Sequence, residues 1–243
     1  MGKPYHAGMA ASNGIEAAKL SKLGFVSRED GIECDQGFFQ THGWDKKTPT
    51  RAVENLGTDF LFPEIKYKFH ACCHGLHSFL EALEELKQEN NFNPESIEEI
   101  AIETNPSWLK VCNIQEPKTG LESKFSYKLT AAMSIYGKDT ADLGTYNDDI
   151  CFDEKINNVR DKVTVIPNDK LTNTQSLISI KDGTRDIKNK HDLSDKIDQN
   201  ILENKIVNKS ASLLSKNKSH EISKILNLPS ESKVSSLVDC LVS

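Results

Sequence analysis

Residues 66–83 read KYKFHACCHGLHSFLEAL, and the rest of the chain is organised around them. Two lysines (Lys66, Lys68), three histidines (His70, His74, His77) and two adjacent cysteines (Cys72, Cys73) run straight into an amphipathic pattern. Leu76, Phe79, Leu80, Leu83 and Leu86 recur at three- and four-residue steps, so one face of a helix is apolar. The ionisable residues therefore fall on a strand-to-helix turn and on the first helical turn. Backbone N–H groups and the positive end of the helix dipole meet there, which suits a carboxylate or phosphate. The lysines add charge, and the histidines can move protons near neutral pH.

The chain has 243 residues, 37% of them hydrophobic and 27% charged, with a net charge of −6. That balance is the one expected of a soluble globular protein with one large or two small domains. The charge is spread along the chain, and no basic block points to a nucleic-acid partner. No apolar run approaches the length of a membrane span, and no signal peptide is recognisable. Six cysteines in a chain this long do not make a disulfide scaffold. Reduced thiols in a cytoplasm are the expectation. A zinc site built from Cys72, Cys73, His74 and His77 is disfavoured. Vicinal cysteines do not easily ligate one ion, and no second cysteine pair stands at finger spacing.

In chain order, Asn13–Leu23 is expected to be a short helix capped by Ser12 or Asn13 and closed by Gly24. The MGKPYHAGMAA opening before it reads as a turn, as if it were the middle of something longer. Thr50–Leu56 is a second candidate helix, ended by Gly57. Phe62–Tyr67 is expected as a strand leading into the central turn, and the helix after it should run to about Lys87. Ile97–Thr104 alternates and stops at Asn105-Pro106, a strand pattern. Leu121–Tyr136 reads as one helix stopped by Gly137, and Asp153–Arg160 as another. The β-branched Lys162–Ile166 and Leu177–Lys181, the latter closed by Asp182-Gly183, read as an antiparallel pair of strands. Ser194 is expected to cap a helix carrying Ile197, Ile201, Leu202, Ile206 and Val207. Shorter helices at His220–Leu228 and Ser235–Leu241, separated by Pro229, complete the chain. The fold class is α+β, with a small mixed or antiparallel sheet and helical pieces at both ends.

Four stretches are specific enough to suggest a family. KPYHAGMAASNGIEAAKLSKLGF is similar to a Lys-x-x-His-x-Gly segment and its following helix. KFHACCHGLHSFLEAL is similar to a Lys-(aromatic or Pro)-x-x-Cys…His turn. PKTGLESKFSYKLTAAMSIYGKDT is similar to a Lys-Phe-Ser helix, and VRDKVTVIPND with ISIKDGT to a pair of late strands. Together, in this order, they resemble the MmgE/PrpD family, which includes 2-methylcitrate dehydratase, cis-aconitate decarboxylase and iminodisuccinate epimerase.

The resemblance implies the C-terminal half of such an enzyme. Residues 1–58 would be the tail of a helical domain, 59–192 an α+β lid-like domain, and 193–243 closing helices that pack back on the helical part. It implies a lyase or isomerase that handles a small polycarboxylate without metal or organic cofactor. Dehydration of a 2-methylcitrate-like hydroxy acid is the reaction it favours. Lys3 and Lys68 match two active-site lysines that would clamp the carboxylates from opposite sides of an interdomain cleft. His6 matches a histidine beside the first lysine, and His77 the histidine at the helix start. The sequence departs from relatives at two places. Cys73 stands where some have a histidine, and Leu129 where some have a tyrosine. The rival expectation is a non-catalytic fragment, or half of a split enzyme. It would need a helical N-terminal partner or a second copy, and would expose apolar residues on Ala10–Leu23 and on the closing helices.

Overall fold

A computed structural model describes residues 2–43, 54–183, 185–227 and 234–242, without the side chains of Lys3 and Pro4. The chain divides into two units, Met1–Ile65 and Lys66–Ser243.

The first unit contains α1 (Gly2–Lys22) and α2 (Phe38–Thr41), joined by turns. The helix expected from Asn13 is the second half of this longer one. Lys3 and His6 therefore lie on helix and not in a turn. Ala7, Ala10, Ala11, Ala17 and Ala18 supply helix propensity that outweighs Gly8 and Gly14. Gly24, at φ +82°, closes α1 as expected, with Phe25 N–H donating to Leu20 O in a Schellman-like bond. The helix expected over Thr50–Leu56 falls partly outside the described residues, and 54–58 form a turn. The strand expected over Phe62–Tyr67 is absent. Phe62–Glu64 is a single 3₁₀ turn with Pro63 in it, which has no N–H to give to a ladder.

The second unit is built on a four-stranded mixed sheet. Its strands are β1 (Ile97–Thr104), β2 (Val163–Pro167), β3 (Gln175–Asp182) and β4 (Arg185–Asp192), in the order β2-β1-β3-β4. β1 pairs with β2 in parallel (Ile100 with Val163) and with β3 antiparallel (Ile100 with Ile180). β2 and β3 run in opposite directions, as expected, but they are not partners, because β1 lies between them. The 168–174 link crosses the end of β1, where Asn168 N–H donates to Thr104 O and Asn105 Nδ2 to Leu171 O. The parallel β1–β2 pair needs a long crossover. The helices α4 (Pro106–Leu109), α5 (Gly120–Ser123), α6 (Tyr127–Ile135) and α7 (Glu154–Arg160) provide it.

The helix expected over Leu121–Tyr136 is broken into α5 and α6. The first ends at its C-cap Lys124, and Ser126 caps the second. Its Oγ accepts from Leu129 N–H at 3.2 Å, and its backbone forms a bridge to Asn113.

α3 (His77–Glu89) lies on β3 and β4 and meets α6. Leu76, Phe79, Leu80 and Leu83 share a buried cluster with Ile100, Ile102, Ile178 and Ile180 of the sheet and with Tyr127, Met133, Ile156 and Val159. Each fully buried Leu, Ile or Phe contributes about 1.5–3 kcal/mol. β4 (RDIKNKHD) was not expected as a strand. Ile187 packs on the core, but its other inward residues are polar because they meet the polar edge of α3: Asn189 Nδ2 donates to Ala82 O (3.1 Å) and Glu85 Oε2 (2.7 Å), and His191 Nδ1 meets Glu85 Oε1 at 2.8 Å. Its outward lysines suit an edge strand.

Three helices follow: α8 (Gln199–Leu214), α9 (Lys216–Leu226) and α10 (Val234–Val242). Asp198 caps α8 by accepting from Asn200 and Ile201 N–H, whereas Ser194 donates its N–H to Asp192 in the turn before. Pro229 lies outside the described residues. The architecture is α+β.

Candidate active site

The turn 70–76 is fastened on every side. Ala71 N–H donates to Thr140 O at 2.8 Å, and Cys73 N–H to Lys124 O at 2.9 Å. Tyr127 Oη donates to Gly75 O at 2.7 Å. Gly75 has no room for a side chain. A Cβ there would lie 2.5 Å from Trp108 Cε3 and 2.8 Å from Cys112 Sγ. Trp108 is itself tied to the 168–174 link through Nε1–H to Asn173 O at 2.8 Å. The backbone that carries the histidines is therefore held in one conformation before any ligand arrives.

The three histidines of the turn have different environments. His77 opens α3 and is fully buried. Its Nε2 accepts from the His70 backbone N–H at 3.3 Å, so the proton must sit on Nδ1, which faces Cys73 O at 3.1 Å. Both nitrogens are thus committed to backbone. Burial, with the neighbouring His70, pushes its pKa down to about 3, so the ring is neutral at physiological pH.

His70 is also buried. Its Nε2–H donates to Glu81 Oε1 at 3.1 Å, and its Nδ1 meets Thr140 Oγ1 at 2.7 Å. Glu81 is 5% exposed and binds Lys205 of α8 through its other oxygen. Burial alone would raise this carboxyl. The His70 and Lys205 contacts more than offset that and hold it at about 2. Lys205 also stands over the Phe69 ring at 5.1 Å.

His74 begins the 3₁₀ turn His74–Leu76 and is half-buried. Its ring lies 5.4 Å from that of His77 and 6.3 Å from that of Trp108.

Lys68 is exposed and makes no ion pair or hydrogen bond among the described residues. Its charge is felt by Cys72, His74, His77 and Lys209. Lys209 donates to Ala141 O at 2.6 Å, and burial pushes its pKa down. The Cys72 thiol is pushed up to about 12 by burial, and contact with Cys73 together with burial pushes Cys112 up, so neither is an activated nucleophile. A cleft of about 360 Å³ opens beside this network, lined by Phe69, His70, Glu81, Thr140, Lys205 and Lys209, among others.

Lys68 and His77, expected from the sequence, thus flank the 70–76 turn in the second unit. Lys3 and His6, also expected, lie on α1 of the first unit, where the His6 side chain is exposed. Glu81, Thr140, Lys205 and Lys209 were not anticipated. A signal existed for two groups of them. Glu81 is a carboxylate within the apolar stripe of α3, and Lys205 and Lys209 are spaced to share one face of α8. Among the described residues, no group of three or more His, Cys, Asp or Glu side chains is placed to hold a metal ion. No helix among them is long and apolar enough to cross a membrane.

The family model for the MmgE/PrpD C-terminal domain matches residues 70–228, more than half of the chain. No curated protein matches it.

Proposed function

Because the chain belongs to the MmgE/PrpD family through its C-terminal domain, we propose that it is a lyase or isomerase module acting on a small polycarboxylate. Dehydration of a 2-methylcitrate-like hydroxy acid is the reaction we favour. The observation that carries this reading is the Lys68 ammonium. It is exposed and unpaired among the described residues, two residues before a turn fixed through Gly75, Tyr127 and Lys124. By contrast, Lys87, Lys205 and Lys209 are each committed to a protein oxygen.

Elimination next to a carboxylate places negative charge on that carboxylate as the C–H bond breaks. A fixed cation stabilises the charge without reorganising. In this reading Lys68 is one such cation and Lys3 another, with His6 beside Lys3. His77 serves the site by holding the turn, since both of its nitrogens are spent on backbone. The chemistry asks for no metal or organic cofactor.

The test is to co-express the chain with the helical N-terminal half of an active relative and follow dehydration of 2-methylcitrate and citrate. Activity that falls about 10²–10³-fold in Lys68→Met, the loss typical when one charge-stabilising group is removed, supports the reading. No activity, alongside a fully active intact relative, refutes it.

A second reading, a non-catalytic module that needs a helical partner or a second copy, is favoured by exposed apolar side chains. Ile15 is 59% exposed on α1, Ile201 is 52% exposed on α8, and Val234, Val238 and Leu241 are exposed on α10. It predicts self-association in light scattering, and a monodisperse monomer at high concentration would argue against it.

A further inference from the structure

A base at this site needs a ring nitrogen with a free lone pair. His77 has none, because Nε2 accepts from His70 N–H and Nδ1 carries the proton. His70 is spent on Glu81 and Thr140. His74 differs from both. Among the described residues, neither of its ring nitrogens has a hydrogen-bond partner, and the ring is held only by its packing against His77 and Trp108. It is half-buried, so it is accessible from solvent yet fixed at its root by the 3₁₀ turn and by the unyielding Gly75 next to it.

We propose that His74 is the group that exchanges a proton with the substrate, acting beside the Lys68 ammonium. This rests on the reading that Lys68 receives a polycarboxylate. The neutral ring takes the proton from the carbon next to the carboxylate. That C–H bond breaks, its electron pair passes into the carboxylate facing Lys68, and a new N–H bond forms on His74. The carboxylate pair then returns to form the double bond. The hydroxyl leaves with the C–O pair and takes a proton from solvent, so water is released. His74 returns its proton to solvent, and the protons balance.

The charged and titratable groups acting on His74 support the assignment. Burial and the Lys68 charge both push its pKa down, and the neighbouring His77 is neutral. The base form is therefore present at physiological pH.

The experiment uses the whole chain and diethyl pyrocarbonate, which acylates unprotonated, accessible imidazole nitrogens, with peptide mass spectrometry as readout. Of the three histidines in 70–77, His74 should react first, with His70 and His77 slower by more than about tenfold. Citrate, whose binding is measured in parallel by calorimetry, should slow His74 modification severalfold, and Lys68→Met should remove that protection. If His70 or His77 reacts before His74, the proposal falls. If citrate binds and His74 reacts as fast as before, it also falls, while the polycarboxylate reading stands. If citrate does not bind at all, the polycarboxylate reading fails and takes this proposal with it. In the co-expressed enzyme, His74→Gln should lower kcat about 10²–10⁴-fold with KM within a few-fold of wild type, and should remove the acid limb of the pH profile. Unchanged kcat in that variant overturns the assignment.

Discussion

Glu81→Gln tests whether the buried His70–Glu81–Lys205 chain holds the turn to α8. The Glu81 carboxyl is held at about 2 instead of its ordinary 4.5. Because the folded value is depressed, its contribution to stability is complete above the unfolded value and is lost as pH falls through the folded one. At about 1.4 kcal/mol per tenfold change, the whole effect is about 3 kcal/mol. Between pH 7 and pH 5 almost none of it is lost, and by pH 3 about 2 kcal/mol is gone.

The glutamine variant keeps the shape but cannot ionise. It should lose about 2–4 kcal/mol at pH 7, because His70 and Lys205 are left without their anion. The lower end is expected, since Lys205 is partly exposed and can turn to water. Between pH 7 and pH 3 the variant should lose about 2 kcal/mol less than wild type. The assay is urea denaturation across pH, followed by Trp108 fluorescence in a Trp44→Phe background. If both proteins lose the same stability between pH 7 and pH 3, the ion chain is not what fixes the Glu81 carboxyl, and the reasoning is refuted.

Three further outcomes follow from the same turn and its supports. Gly75→Ala should destabilise by about 1–3 kcal/mol, because its Cβ would force Trp108 aside; a red-shifted Trp108 emission together with a lower urea midpoint checks it. Tyr127→Phe leaves the Gly75 carbonyl buried without its donor and should cost about 1–3 kcal/mol in urea denaturation. Asp153→Ala removes the acceptor for Lys155 and Ile156 N–H at the start of α7, which should cost about 1 kcal/mol and lower the thermal midpoint slightly.

The parts of the fold legible in the sequence were those whose signal is local. The apolar stripe of α3, the alternation in β1 and the left-handed glycines at 24 and 137 all follow from periodicity or backbone sterics. The misses were decided by tertiary context. The order of β2 and β3 about β1 depends on what fills the gap between them, and that filler is distant in the chain. β4 carries almost no apolar signal, because hydrogen bonds from Asn189 and His191 to α3 do the work that side-chain burial does elsewhere. The break between α5 and α6 turns on Ser126 serving as a cap and bridging to Asn113.

Of the candidate site, the sequence shows the cluster of ionisable residues but not how folding sorts them, for a related reason. A sequence shows which residues are ionisable, but the lone pairs left after folding decide which can act. His70, His74 and His77 are equivalent as letters. Folding places a backbone N–H against His77 Nε2 and the Glu81 carboxylate against His70 Nε2, and among the described residues leaves the His74 ring with ring contacts alone. The same sorting applies to the lysines. Lys205 and Lys209 are drawn to Glu81 and to the Ala141 carbonyl, while Lys68 keeps its ammonium in water. A pairing that stabilises the fold removes a group from chemistry. Lys68, just before the turn, and His74, on it, are thus left without a hydrogen-bond partner among the described residues, and in the proposed reading that cation and that imidazole are the pair used for elimination beside a carboxylate.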